Sequence, residues 1–345
     1  FGQDTVIDFD TTGSAVDVIR FGAGIDLSDL LVSRFGSRDL LLDVGGAGDG
    51  IVLKNWLRSP SFRIERVEFA DGSFLSAAQL EAAATMVVGT AGDNQIDASA
   101  GDDVLQGLAG NDVLTDSAGG NDLLDGGAGD DTLTGGAGND LLAGGAGNDR
   151  VDTGAGNNVI AFNAGGGIDT VSSAADAQNT LSLGGGIGYD DLSLARSGSD
   201  LILNTGDTDA IVLKDWYAGN SNVLDLQIIL DATNQFDAGS SDPLYNRRVQ
   251  NFDFLGVVSA FDQALIDTPG LTSWAVTNAL LQFHLSGADD AALGGDLAYS
   301  YGRNGGLTGI SLAAAQEVIG AAGFGSEAQT LRPFSGLQAG FVKLS

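Results

Sequence analysis

Residues 89–161 repeat one nine-residue unit, clearest in GGAGDDTLT (126–134), GGAGNDLLA (135–143) and GGAGNDRVD (144–152). The sixth position of the unit is Asn94, Asp103, Asp112, Asp122, Asp131, Asp140, Asp149 and Asn158, at steps of 9, 9, 10, 9, 9, 9 and 9. The eighth position is Ile96, Leu105, Leu114, Leu124, Leu133, Leu142, Val151 and Ile160. Glycine dominates the first, second and fourth positions. A unit this short buries nothing alone, so a fixed period over eight copies means a solenoid, and this one reads as a parallel β-roll. Each unit splits into a six-residue turn, whose glycines permit positive φ, and a three-residue strand. Two units make one coil, so turns two repeats apart stack at strand spacing, about 4.8 Å. One edge then carries Asn94, Asp112, Asp131 and Asp149, and the other Asp103, Asp122, Asp140 and Asn158.

Carboxylates stacked at that spacing repel unless a cation lies between them. Calcium takes six to eight oxygens at about 2.3–2.6 Å, and two carboxylates with turn carbonyls supply them; magnesium, with its stricter octahedron, suits such a cage less well. Three gaps per edge make on the order of six ions in the central roll. One inward aliphatic per unit makes a thin core, so the metal is expected to decide stability: disorder without calcium, folding with it. The uncharged Asn94 and Asn158 weaken the roll ends. Ala98-Ser99-Ala100 and Asp116-Ser117-Ala118 lack the leading Gly-Gly. Asp169, after a step of 169 − 158 = 11, is placed to close the Asp149 edge.

Composition narrows the function classes. The formal net charge is −31, with only 15 Lys and Arg, so there is no basic face for nucleic acid or anionic lipid. No cysteine means no disulfide and no thiol chemistry, and the single histidine, His284, rules out H-E-x-x-H. No G-x-S-x-G elbow occurs. The chain reads as a non-enzyme, and His284 as a packing residue. No apolar run reaches the roughly 18–20 residues of a membrane span, and no N-terminal signal peptide is visible.

The opening GQDTV (2–6) matches GIDTV (167–171), so residues 1–88 read as the end of an earlier roll followed by short capping strands. The same capping pattern returns over 173–241: IVLKNW (51–56) as IVLKDW (211–216), and SRDLLL as SDLILN. Trp56 and Trp216, 216 − 56 = 160 residues apart, read as cap core. Asp4, Asp8 and Asp10 read as solvated turn residues. The roll itself occupies 89–172. From Asp242 to 345 the periodicity becomes helical. Val249, Phe252, Leu255, Val258, Phe261 and Leu265 form one stripe, 274–285 is a second helix candidate, and Ser311 is a candidate N-cap for 312–322. The fold class expected is therefore mainly β, a calcium-binding parallel β-roll with flanking capping strands, followed by an α-helical C-terminal region.

The nonapeptides, with IVLKNW and FADGS in the flanks, resemble the repeats-in-toxin family exported by type I secretion systems. The resemblance implies that turn carbonyls at positions one to four join the aspartates as calcium ligands: Gly126, Gly127, Ala128 and Gly129; Gly135, Gly136, Ala137 and Gly138; Gly144, Gly145, Ala146 and Gly147. It also implies an uncleaved secretion signal in the C-terminal region ending FVKLS, the type I secretion machinery as partner, and a secreted or cell-surface protein that folds on meeting calcium outside the cell. By family analogy the chain is the C-terminal part of a large surface adhesin, reaching a host-cell or surface receptor through upstream regions. The alternatives are the C-terminal domain of a pore-forming toxin and the carrier half of a secreted protease or lipase.

Overall fold

The computed structural model describes residues 2–9, 16–27, 30–35, 38–46, 49–84, 86–98, 101–206, 208–306, 310 and 312–332. Asp10, Ser99, Ala100, Ser311 and the tail 335–345 lie outside them.

Two parallel sheets form the roll. One contains Met86–Val88, Val104–Ala109, Leu123–Ala128, Leu141–Ala146, Val159–Asn163 and Asn179–Gly184 in that order. The other contains Gln95–Asp97, Val113–Thr115, Thr132–Thr134, Arg150–Asp152 and Ile168–Ser172. One coil is one strand from each. The register places Leu105 beside Leu124, Leu142 and Ile160 in the first sheet, and Ile96 beside Leu114, Leu133 and Val151 in the second. These eighth-position side chains face one another and are buried. Strands of the second sheet are three residues long within the repeats, as the period predicts. Several in the first sheet run to six, because its turns also pair: Gly127 lies beside Gly145 and Ala128 beside Ala146.

The seventh position distinguishes the two sheets. On the second sheet it is Gln95, Val113, Thr132 and Arg150, none of them buried. On the first it is Val104, Leu123, Leu141 and Val159, all buried under the C-terminal region. Helices α1 (Ala77–Ala83) and α2 (Phe254–Asp267) precede the two that do the covering, α3 (Gly295–Asn304) and α4 (Leu312–Ile319). Leu297, Ala298 and Tyr301 of α3 join Ala314, Ala315, Val318 and Ile319 of α4, with Phe324 beyond, over this outer face. The backbones approach closely: Gly185 N–H donates to Gly302 C=O at 2.6 Å, and a Cβ at Gly184 would strike the Gly302 backbone. The core is therefore not the thin one that a single inward aliphatic per unit implies; the first sheet is packed on both faces.

The two caps share one build. In the first, Leu31–Phe35, Asp39–Gly46 and Asp49–Leu53 run antiparallel, with Gln3–Val6 parallel to the last. In the second, Ser193–Ser197, Asp200–Asn204 and Ala210–Leu213 do the same with Ile168–Ser172. Asp39 accepts from Lys54 Nζ at 2.6 Å and Asn55 N–H at 2.8 Å, and Asp200 from Lys214 Nζ at 2.7 Å and Asp215 N–H at 2.9 Å. Asn55 and Asp215 both stand in the left-handed region, at φ 60 and 54, which Asn and Asp tolerate best after glycine. Trp56 and Trp216 follow and are buried. That clip is the physical content of the repeated K-N/D-W sequence.

The C-terminal region differs from its sequence-based expectation in two places. Val249–Asp253 is a strand, not the start of a helix; it extends the first sheet antiparallel to Val223–Ile229. Asp253 then caps α2 by accepting from Gly256 N–H at 2.9 Å, and the buried face of α2 is Phe254, Val257, Val258 and Phe261. Residues 274–285 do not form the expected helix: Val276–Asn278 makes a single 3-10 turn between two short strands. Trp274–Ala275 pairs with Ser193–Ser197, and His284–Ala288 with Val249–Asp253. Both satisfy sheet edges that would otherwise stand open, a demand that overrides local propensity. His284 packs beside Phe252 in that strand, its Nε2 2.7 Å from Gln250 Oε1. Asp289 pairs with Arg247 at 2.9 Å.

Leu141→Ala, which opens a cavity between the first sheet and the helices, should cost about 2–5 kcal/mol. Arg150→Ala, at the exposed seventh position of the other sheet, should stay within about 0.5 kcal/mol. Denaturant midpoints of the calcium-loaded protein compare the two.

Candidate metal centre

From Asp112 onward, the sixth-position carboxylates are tied to the coil before them. Asp112 Oδ1 accepts from Asn94 N–H, Asp131 Oδ1 from Asp112 N–H and Asp149 Oδ1 from Asp131 N–H, at 2.7, 2.7 and 2.8 Å. Asp169 takes the next place, its Oδ1 2.9 Å from Asp149 N. On the opposite edge Asp122 Oδ1 accepts from Asp103 N–H at 2.7 Å, Asp140 Oδ1 from Asp122 N–H at 2.9 Å and Asn158 Oδ1 from Asp140 N–H at 2.9 Å. That edge ends in a neutral pair, Asn158 Nδ2 donating to Asn179 Oδ1 at 3.0 Å. Asn94, at the other end of its own edge, turns back to its loop, donating from Nδ2 to Thr90 Oγ1 at 2.9 Å.

The second oxygen is what matters chemically. Oδ2 of Asp112, Asp122, Asp131, Asp140 and Asp149 is buried and has no hydrogen-bond partner. A buried carboxylate oxygen without a donor is costly. Burial, the largest cause in each case, pushes Asp131 up to about 6, Asp149 to about 7 and Asp140 and Asp169 to about 8, and raises Asp112 and Asp122 as well. Each of these oxygens thus calls for either a proton or a cation.

The glycines make room for the cation. A Cβ on Gly135 would lie 2.7 Å from Asp140 Oδ2 and 2.9 Å from Thr153 C=O, and one on Gly126 would meet Asp131 Oδ2 and, at 2.6 Å, Gly144 C=O. The orphan oxygen and a carbonyl from the next coil converge there. At the second and fourth positions glycine is needed twice over: Gly127, Gly129, Gly136, Gly138, Gly145 and Gly147 all have positive φ, and each abuts the backbone of the previous coil. The third-position carbonyls are partly committed. Those of Ala128, Ala137 and Ala146 accept from Gly110, Gly120 and Gly129 N–H at 2.9, 3.1 and 2.8 Å, which leaves one lone pair each. The donor set is all oxygen, carboxylate plus carbonyl, which fits calcium and not a soft or imidazole-seeking metal. Among the described residues no group of three or more His, Asp or Glu converges on one point; the stack offers carboxylates backed by carbonyls instead.

A second ladder runs beside the first, at the fifth position, which the repeat pattern leaves free. Side-chain oxygens of Asp93, Asp102, Asn111, Asn121, Asp130, Asn139 and Asn148 accept backbone N–H groups of the following coil, at 2.8–3.1 Å. The signal was in the sequence: all eight fifth positions, ending with Asn157, are Asn or Asp.

A parallel β-roll with stacked, half-satisfied carboxylates at both edges is a calcium-binding solenoid. The model of the RTX calcium-binding nonapeptide repeat matches residues 86–115, 116–151, 125–160 and 134–171, and that of the haemolysin-type calcium binding protein related domain matches 39–79; over these residues the chain belongs to the RTX calcium-binding family. No curated protein sequence matches the chain. Among solved structures, the extracellular lipase LipA from Serratia marcescens aligns at 21% identity over 64% of this chain and 34% of its own, with a TM-score of 0.27. The chain thus spans about a third of that lipase, and at this TM-score the likeness carries neither fold nor function.

Two outcomes test the site. Gly135→Ala fills the space in front of Asp140 and should weaken calcium binding about tenfold or more, or about 1.4 kcal/mol, by calorimetric titration. The pH dependence has a definite sign. Carboxylates whose folded pKa lies above the ordinary 3.8 favour the bare fold only at low pH, and that contribution is lost as pH rises through about 6 to 8. In chelator the roll should therefore lose β structure between pH 5 and pH 8 by circular dichroism. Calcium affinity should rise over the same window, because the ion displaces those protons.

Proposed function

We propose that this chain is the calcium-dependent folding and type I export module of a large extracellular bacterial protein, a surface adhesin, and that it carries no catalytic activity of its own. The observation that carries the folding half is the set of five buried, unpartnered Oδ2 atoms. A chain of formal charge −31 that must bury such oxygens has no reason to fold until a divalent cation neutralises them. Calcium is scarce inside a cell and abundant outside, so the same chain is threadable in one place and rigid in the other. The C-terminal region beyond Asp242 supports the export half: α3 and α4 are packed onto the roll once it has formed, so a signal there would be read before folding covers it. No helix among the described residues is long and apolar enough to cross a membrane.

The stalk reading rests on continuity. The first cap feeds the central roll through a direct pairing of Leu31–Phe35 with Met86–Val88. One sheet of 13 strands thus runs from Gln3–Val6 to His284–Ala288, about 60 Å at strand spacing. Two roll-and-cap units in series make a spacer better than a pocket.

In calcium-free buffer at neutral pH the roll should give a disordered far-UV spectrum, converting cooperatively to β on calcium addition. A fully folded roll in excess chelator at pH 7.5 would overturn the reading. Removing residues 242–345 should abolish export through a type I system, and hydrolytic activity from this chain would overturn its non-enzymatic role.

A further inference from the structure

The turn Asp116–Asp122 is built differently from its neighbours. Ala98, Asp116, Gly135 and Thr153 occupy one structural place: their N–H groups donate to Thr115, Thr134, Asp152 and Ser172 C=O at 2.8, 2.8, 2.9 and 2.9 Å. At Gly135 that place fronts the orphan oxygen of Asp140. In the preceding coil it is filled by Asp116, whose side chain is also buried, at 1% exposure. Asp122 behind it is fully buried, and its Oδ2 has no hydrogen-bond partner. Asp116 Oδ2 reaches over the next turn, where a Cβ on Gly136 would lie 2.6 Å from it. The charge of Asp116 acts on both Asp122 and Asp140, raising each.

Asp116 also holds its own loop. Its Oδ1 accepts from Ala118 and Gly119 N–H at 2.8 and 3.1 Å, and its Oδ2 from Gly119 N–H at 2.9 Å. These bonds fix the carboxylate and leave lone pairs on it. The outcome is two buried carboxylates at one turn, with the Oδ2 of Asp122 left without a donor. Loop-holding alone does not explain this, since an asparagine would do it without the repulsion.

We propose that Asp116 is a calcium ligand: with Asp122 and carbonyls of the turn beginning at Gly135, it chelates one ion between the two turns and makes that site the tightest in the roll. The ten-residue step of the repeat is what delivers it: Asp116 stands 122 − 116 = 6 residues before Asp122, in the place that Gly135 holds 140 − 135 = 5 residues before Asp140. Asp116 adds a carboxylate at the place where Gly135 offers none in the next coil, so this ion meets more charge than its neighbours, and calcium affinity follows ligand charge. This rests on the calcium reading of the roll, and the wild-type titration tests that reading separately: absence of calcium binding there would sink the roll as a whole, not the role of Asp116.

The experiment is a calcium titration of the full chain, followed by calorimetry and by the calcium midpoint of folding, for wild type, Asp116→Asn, Asp122→Asn and the double variant. Asparagine keeps the acceptor for Ala118 and Gly119, so any loss reports the missing charge. Asp116→Asn should remove the tightest class of ion or weaken it at least tenfold, and the double variant should be no worse than the worse single, because both single variants disable one site. Unchanged or tighter binding in Asp116→Asn, as relief of a purely repulsive pair would produce, overturns the proposal. So do additive losses in the double variant.

Discussion

A carboxylate with one oxygen held and the other bare is the constraint from which the rest follows. The Oδ1 of Asp112, Asp122, Asp131, Asp140 and Asp149 each takes the backbone N–H of the coil before it, so the side chain cannot swing out to water. Its partner oxygen is left inside, with no donor, next to a carbonyl of the following coil. The geometry that aligns the coils is thus the geometry that makes a bare roll unfavourable at neutral pH. A hard cation seated between that oxygen and the carbonyl would resolve both at once, which is the physical basis of the proposed coupling between folding and ion binding.

The first sheet has two jobs. Its inner face carries Leu105, Leu124, Leu142 and Ile160 against the second sheet, and its outer face carries Val104, Leu123, Leu141 and Val159 against α3 and α4. The same strands bear both faces, so whatever aligns the coils aligns both together. The outer layer also meets the turns directly: Asn121 Nδ2 donates to Ile319 C=O at 2.9 Å. The C-terminal helices therefore have a formed surface to dock on only when the coils beneath them are aligned.

The caps solve the open-end problem twice with one device. An aspartate at the start of one strand clasps a lysine and a left-handed Asn or Asp before a buried tryptophan. What differs is the edge they present. In the first unit the edge strand Leu31–Phe35 starts the next roll, through Met86–Val88. In the second, Ser193–Ser197 is closed by Trp274–Ala275 from the C-terminal region. The chain ends its array by filling the same kind of edge with a short antiparallel strand.

By itself the sequence determined everything that repeats. The period sets two units per coil, the eighth position faces inward, the sixth-position carboxylates stack, and glycine stands where φ is positive or where no Cβ fits. Those relations hold between residues 18 or 19 apart, so local periodicity expresses them. The fifth-position ladder and the alternation of Leu123 and Leu141 with Thr132 and Arg150 were equally legible, for they too are periodic. What only the tertiary structure decided are the unrepeated contacts. These are which segment covers Leu123 and Leu141, that 274–285 supplies edge strands and not a helix, and that Asp116 stands where the next coil has glycine. Each depends on a partner brought up from elsewhere in the chain or on a single inserted residue, and no period records either.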